Sequence, residues 1–272
     1  MHDDERSHHQ GLQQDLRVLR TMADRRQLLR WMAGASLIPL IGCGGEEGDQ
    51  TLPPGESTSD ATACTRIPEE TAGPYPGDGS NGANALVLSG IVRSDIRASL
   101  AGATGVAQGV PLTINLTLVN SSNGCAPLEG YAIYLWHCDR AGLYSMYSAG
   151  VTNENYLRGV QVTDSAGKVS FTSIFPGCYA GRWPHIHFEM YPSVSAATNS
   201  RNKVATSQLA LPKATCDEAY TATGYSQSVT NLRNISLATD NVFRDGYASQ
   251  LATVTGSVGA GYVSELVVGI AR

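Results

Sequence analysis

Several features are scarce in this chain of 272 residues, and each scarcity closes off a class of protein. Charged residues make up only 16%, and stretches with helical periodicity are hard to find after the first thirty residues, which argues against a helical bundle. There is no long basic run and the net charge is −5, which argues against nucleic acid as a partner. The apolar stretch Trp31 to Gly42 is 12 residues long, whereas a membrane-spanning helix needs roughly 20. None of the cysteines shows C-x-x-C spacing, which counts against a structural zinc site.

What is present points to strands. With 42% hydrophobic residues the chain can bury one good core, and 29 glycines supply many turns. Pro111 to Val119 alternates cleanly, with Leu112, Ile114, Leu116 and Leu118 on one face and more polar side chains on the other, the period of a half-buried strand. Further strand candidates are Leu86–Val92, Tyr131–Trp136, Lys168–Phe171 after the turn Asp164–Gly167, His185–Met190, Val204–Leu211 and Val263–Ile270. About eight short strands joined by long irregular loops predict an all-β fold, a β-sandwich.

The N-terminus reads as a targeting segment rather than as part of that fold. Arg25-Arg26 precedes the short apolar stretch, the layout of a twin-arginine export signal over residues 1–42. Leu40-Ile41-Gly42-Cys43 is similar to a bacterial lipobox, which predicts lipidation of Cys43 and a membrane contact through that lipid alone. The Gly-, Pro-, Ser- and Thr-rich stretch 43–63 reads as a flexible spacer, and 64–272 as the folded domain. Of the five later cysteines, Cys64, Cys125, Cys138, Cys178 and Cys216, an oxidising compartment predicts two disulfides and one free thiol. Cys125 and Cys138 are placed for a local pair, though the connectivity is open.

The most informative segment is Arg182-Trp183-Pro184-His185-Ile186-His187-Phe188. On a strand, residues two apart share a face, so His185 and His187 can reach one metal ion while Ile186 and Phe188 enter the core. Zinc, copper and iron sites all use this pair, and Glu189 on the same strand is an alternative third ligand of a ferrous or copper oxidase. A non-catalytic surface lipoprotein is a further alternative.

Other motifs extend the pattern. Trp136 to Ser145 resembles the W-x-x-x-x-x-G-x-Y segment of intradiol ring-cleavage dioxygenases, the catechol and protocatechuate type. Pro176-Gly177-Cys178-Tyr179 resembles their P-G-x-Y turn, Arg182-x-x-His185-x-His187 their R-x-x-H-x-H strand, and Glu70-Thr71-Ala72-Gly73-Pro74-Tyr75 their entry motif. The resemblance is collinear from about Ile67 to Leu211.

It implies one non-haem Fe(III) per chain, held by Tyr144, Tyr179, His185 and His187, because a ferric ion stabilises phenolates that water would leave protonated. It also implies a small aromatic diol and O2 as substrates and a muconate-type diacid as product. Tyr179 would accept a substrate proton, Arg182 would stabilise charge developing on the ring with support from Gln208, and Pro74 would shape the pocket mouth. Cys178, beside a ligand tyrosine, is expected to be bridged or turned away. The chain lacks the helical dimerisation region of the catechol-type branch, so an oligomer is possible but its form is open, as is the choice of diol.

Overall fold

The computed structural model describes residues 65–272, so the export segment expected over 1–42, the lipidation at Cys43, the spacer to 63 and Cys64 lie outside the described residues. Among those described there are nine strands in chain order. They are β1 (Pro111–Asn120), β2 (Ala126–Pro127), β3 (Ala132–Trp136), β4 (Arg158–Val162), β5 (Lys168–Ile174), β6 (His185–Tyr191), β7 (Ala205–Ala210), β8 (Thr253–Ser257) and β9 (Gly261–Ile270). One open sheet has the order β2-β1-β9-β8, with β5 also paired to β1, and the other runs β4-β3-β6-β7. This is the expected all-β sandwich.

The alternation seen in β1 explains the layering. Leu112, Ile114, Leu116 and Leu118 are all buried, and the same alternation in β5 and β9 buries Val169, Phe171, Leu266 and Val268. The second sheet is buried along nearly every residue of β3, β6 and β7, so both of its faces are covered. Its inner face contributes residues such as Leu135, Ile186 and Phe188. On its far face Tyr134, Trp136, Val160 and Tyr191 pack beneath Ala85, Leu86 and Ile91, with Tyr144 in the same cluster. The candidate residues His185 and His187 project from this far face.

Two expectations need correction. Residues 86–92 do not form a strand: the chain makes successive tight turns, with the Leu88 amide on the Ala85 carbonyl and the Ile91 amide on that of Leu88. Leu86 and Ile91 are pinned under the sheet while Val87, 62% exposed, points to water, so the segment covers the sheet mainly by packing and meets its ladder only at one bridge, Val92 beside Val160 of β4.

The cysteine expectation also fails. Cys125 is disulfide-bonded, but Cys138, Cys178 and Cys216 are free and buried, which excludes both the local Cys125–Cys138 pair and a second bridge. Cys125 belongs to the turn between β1 and β2 of the first sheet and Cys138 to the end of β3 in the second, so neighbours in sequence are carried into different layers.

Two short helices that the hydrophobic pattern does not announce, α1 (Lys213–Ala219) and α2 (Ser226–Leu232), pack near the turn that bears Tyr179. The Ser228 hydroxyl accepts the Cys178 amide at 2.9 Å and the Asn231 amide donates to the Cys178 carbonyl at 2.7 Å. That fixes the turn from outside. No helix among the described residues is long and apolar enough to cross a membrane.

Candidate metal centre

Strand register assembles the site before any loop is considered. Arg158, Trp136, His187 and Gln208 are successive Cα partners across β4, β3, β6 and β7, so all four side chains leave the same face in one row. His185, two residues before His187, shares that face. The indole of Trp136 stacks on the His187 imidazole with centroids 4.9 Å apart and planes 6° from parallel.

The tyrosines arrive from two turns pressed against each other. The Gly177 amide donates to the Asp139 carbonyl at 2.9 Å, and a β-carbon on Gly177 would lie 2.7 Å from the Arg140 carbonyl oxygen, so only glycine allows this approach. Tyr144 is 2% exposed and Tyr179 is half-buried. Their rings meet edge to face, 5.8 Å between centroids.

All four groups converge on one nitrogen. His185 Nε2 lies 3.4 Å from the Tyr144 hydroxyl, 3.3 Å from the Tyr179 hydroxyl and 3.0 Å from His187 Nε2. His185 Nδ1 is committed to the Trp183 carbonyl, so it carries the proton and Nε2 offers a single lone pair. One lone pair can satisfy one donor, and three polar atoms crowd it. As a hydrogen-bond cluster the arrangement is over-subscribed; as a ligand set it is not. Donors about 2.0–2.1 Å from a common ion sit about 3 Å from one another, the spacing seen here.

The electrostatics fit a site that takes a cation. Burial, reinforced by Tyr179, pushes the Tyr144 phenol well above its ordinary range, and burial pushes both histidines well below theirs, His185 helped by Arg182 and His187 by His185 and Arg182. The protein alone therefore holds Tyr144 and both histidines neutral, and a strongly charged metal ion could turn that buried phenol into a phenolate. No group of three His, Cys, Asp or Glu side chains able to hold a metal occurs among the described residues, so the candidate set is two imidazoles and two phenols. That set fits Fe(III) better than zinc or ferrous iron, which favour thiolate, imidazole and carboxylate. The alternative ligand Glu189 is committed elsewhere, accepting from Lys203 at 2.7 Å and from the Tyr191 hydroxyl at 2.7 Å.

Arg182 lies beside this cluster and is held on two sides. Its Nε donates to Asp240 at 3.0 Å and its Nη2 to the Gln208 side-chain oxygen at 2.6 Å, while the Gln208 amide donates to the Thr71 carbonyl at 2.9 Å. Burial opposes the charge on Arg182, but Tyr179 and Asp240 outweigh it and keep the guanidinium firmly protonated. Asp240 is a residue the sequence reading missed. It is fully buried, takes the Trp183 amide at 2.7 Å as well, and reaches Arg182 across 58 residues of chain with no motif to announce it.

Pro74 sits at the edge of the cluster: a β-carbon on the preceding Gly73 would lie 3.5 Å from His187 Cε1, and the Pro74 carbonyl accepts from Asn81 at 2.7 Å. Cys178 is neither bridged nor ionised. Its sulfur faces the Arg182 carbonyl at 3.5 Å, and burial raises the thiol to about 12.

Comparison with known proteins bears on this geometry. Residues 93–190 match the family model described as Dioxygenase, a span that contains Tyr144, Tyr179, Arg182, His185 and His187 but neither Pro74 nor Gln208. The chain is similar to an intradiol ring-cleavage dioxygenase from Tetranychus urticae, with 24% identity, 76% of this chain and 94% of that chain covered, and a TM-score of 0.58. It is also similar to the dioxygenase domain of a dioxygenase carbohydrate-binding protein fusion from the cellulolytic bacterium Streptomyces sp. SirexAA-E, with 22% identity, coverage of 76% and 99%, and a TM-score of 0.47. No curated protein matches the chain. Residues 93–190 thus resemble the dioxygenase family model, and the sandwich shares the fold of the Tetranychus urticae protein.

Proposed function

We propose that this enzyme uses O2 to cleave a catechol-type aromatic diol between its two hydroxylated carbons, giving a muconate-type diacid, at a non-haem Fe(III) held by Tyr144, Tyr179, His185 and His187. The observation that carries the reading is the crowding of three polar atoms around the single Nε2 lone pair of His185. Those four side chains would hold the ferric ion, which would supply Lewis acidity to a bound diol.

The side chains divide the remaining work by burial and charge. Tyr179 is half-buried where Tyr144 is 2% exposed, so Tyr179 is the phenolate within reach of an incoming diol and the one suited to take up a substrate proton at its oxygen. Tyr144 and both histidines stay as fixed donors. Arg182, locked by Asp240 and Gln208, presents a preorganised positive charge where negative charge develops on the ring. The face of Tyr75, 5.0 Å from that of Tyr144, offers an aromatic wall near Pro74.

We also propose, from the N-terminal motifs, that the protein is exported through the segment 1–42 and anchored by a lipid on Cys43. Arg25-Arg26 and Leu40-Ile41-Gly42-Cys43 support it. Loss of labelled fatty acid incorporation in Cys43→Ser, with the parent labelled, is the expected result; equal labelling of both removes the anchor.

The activity is tested by loading the full chain with ferric iron and following visible absorption and oxygen uptake with catechol, hydroxyquinol and protocatechuate. A tyrosinate charge-transfer band and one O2 consumed per diacid formed are expected. Absence of both the band and the uptake overturns the assignment.

A further inference from the structure

Arg158 closes the β4 end of the row that carries Trp136, His187 and Gln208, and nothing in the chemistry above employs it. Its side chain is 1% exposed, and among the described residues no carboxylate is bonded to it. Its donors are spent on neutral oxygens: Nε on the Ser145 hydroxyl at 3.1 Å, Nη1 on the Pro76 carbonyl at 2.7 Å and the Tyr134 hydroxyl at 3.1 Å, and Nη2 on the carbonyls of Tyr75 at 3.0 Å and Ser145 at 2.9 Å. Burying a cation without a counter-ion is unfavourable, so a residue kept in this state must supply something a neutral side chain cannot. What a guanidinium supplies is five donors in one rigid plane; an ammonium has three and no fixed fork.

The partners of that fork belong to two walls of the candidate site. Tyr75 and Pro76 continue the entry segment that passes over His187, and Ser145 follows Tyr144 directly. The rings of Tyr75 and Tyr144 are 5.0 Å apart, and Tyr147 adds a third ring 5.3 Å from Tyr75. Arg158 also lies 5.4 Å from the Tyr147 ring centroid, while the Tyr147 hydroxyl accepts the Gly77 amide at 2.8 Å. Apart from the bond to Tyr134 of β3, every bond of Arg158 ties the entry segment or the Tyr144 turn to the sheet.

We propose that Arg158 is a positioning residue of the diol site: by clamping Tyr75–Pro76 to the Tyr144–Ser145 turn, it holds the Tyr75 ring packed against Tyr144 and so fixes the aromatic wall beside the candidate ligands. This rests on the intradiol reading. That packing is a matter of geometry and not of charge alone, so lysine is not a substitute.

The test uses the full chain loaded with ferric iron, comparing the parent with Arg158→Met and Arg158→Lys on whichever of catechol, hydroxyquinol and protocatechuate the parent turns over fastest. Both variants are expected to raise KM roughly tenfold, with a smaller change in kcat, and to shift the tyrosinate band. In the metal-free protein both should speed hydrogen exchange at the Gly77 amide while amides of β1 keep the parent's protection.

Folded variants with the parent's KM, band and Gly77 exchange overturn the proposal, as does full recovery of KM by lysine. If Arg158→Met fails to fold, Ser145→Ala and Tyr134→Phe each remove one hydroxyl partner and are read the same way; parent-like values in both overturn it. Should the parent itself neither bind ferric iron nor consume O2, the intradiol reading fails, and Gly77 exchange in the metal-free variants still decides the clamp.

Discussion

Trp136 and His187 face each other across β3 and β6, and their rings lie stacked 4.9 Å apart and only 6° from parallel. The contact orients an imidazole whose Nδ1 has no hydrogen-bond partner, so packing does for His187 what the Trp183 carbonyl does for His185. Replacing Trp136 with leucine is expected to lower ferric affinity by about 10- to 100-fold, the range for loss of a residue that orients a ligand. Competition with a graded chelator measures it, and an unchanged affinity in a folded variant removes the orienting role.

The two phenols differ in burial, and their removal should differ in effect. Tyr144→Phe is expected to bleach most of the visible band, since this side chain is 2% exposed and has no solvent route to replace it with water. Tyr179→Phe, at a half-buried position, should shift the band and lower kcat more than it lowers metal content. Absorption spectra with iron stoichiometry decide; an unaltered band in both variants refutes the ligand set.

Asp240 and Arg182 form an ion pair in which the side chains are 0% and 4% exposed. Breaking one partner leaves the other charge buried, a loss of roughly 3–5 kcal/mol. Asp240→Asn should therefore lower the urea midpoint strongly, and Arg182→Leu/Asp240→Leu should recover part of the loss. A single variant as stable as the parent would mean that solvent reaches the pair.

His137 makes stability depend on pH in a definite direction. Burial lowers it from 6.5 to about 4, and both ring nitrogens are engaged, by the Cys138 carbonyl and the Ser173 hydroxyl, each at 2.7 Å. Between these values the unfolded chain binds a proton that the folded one refuses. The contribution is constant above about 6.5, is lost as pH falls from there toward 4, and levels off below, in all on the order of 3 kcal/mol. Unfolding curves of parent and His137→Gln between pH 7 and pH 4 (roughly the titration window) should converge toward acid; parallel curves contradict the assignment.

Cys138, Cys178 and Cys216 are all buried with their thiols raised by desolvation. They should ignore a thiol reagent at neutral pH in the folded protein and react on denaturation. Rapid labelling of Cys178 in the native state would show that the Tyr179 turn opens.

Much of this protein is local, and local properties can be read in one dimension. The period of two in Pro111–Asn120 and in His185–Tyr191 reports which side chains share a face, so the core stripe of β1 and the pairing of His185 with His187 follow from residue order alone. The same holds for the glycine of Pro176-Gly177-Cys178-Tyr179, which announces a close backbone approach without saying to what.

Tertiary structure decided everything that depends on which strands become neighbours. The row Arg158–Trp136–His187–Gln208 exists only because β4, β3, β6 and β7 pair in that order, and Asp240 meets Arg182 only because a long loop returns beneath the turn. Residues 86–92 have the apolar content of a strand, yet they turn so that Leu86 and Ile91 pack in the cluster with Tyr134 and Trp136, and only Val92 bridges to β4. Pairing partners, covered faces and the fate of Cys138 are set by the free energy of the whole assembly, and no window of the chain contains that sum.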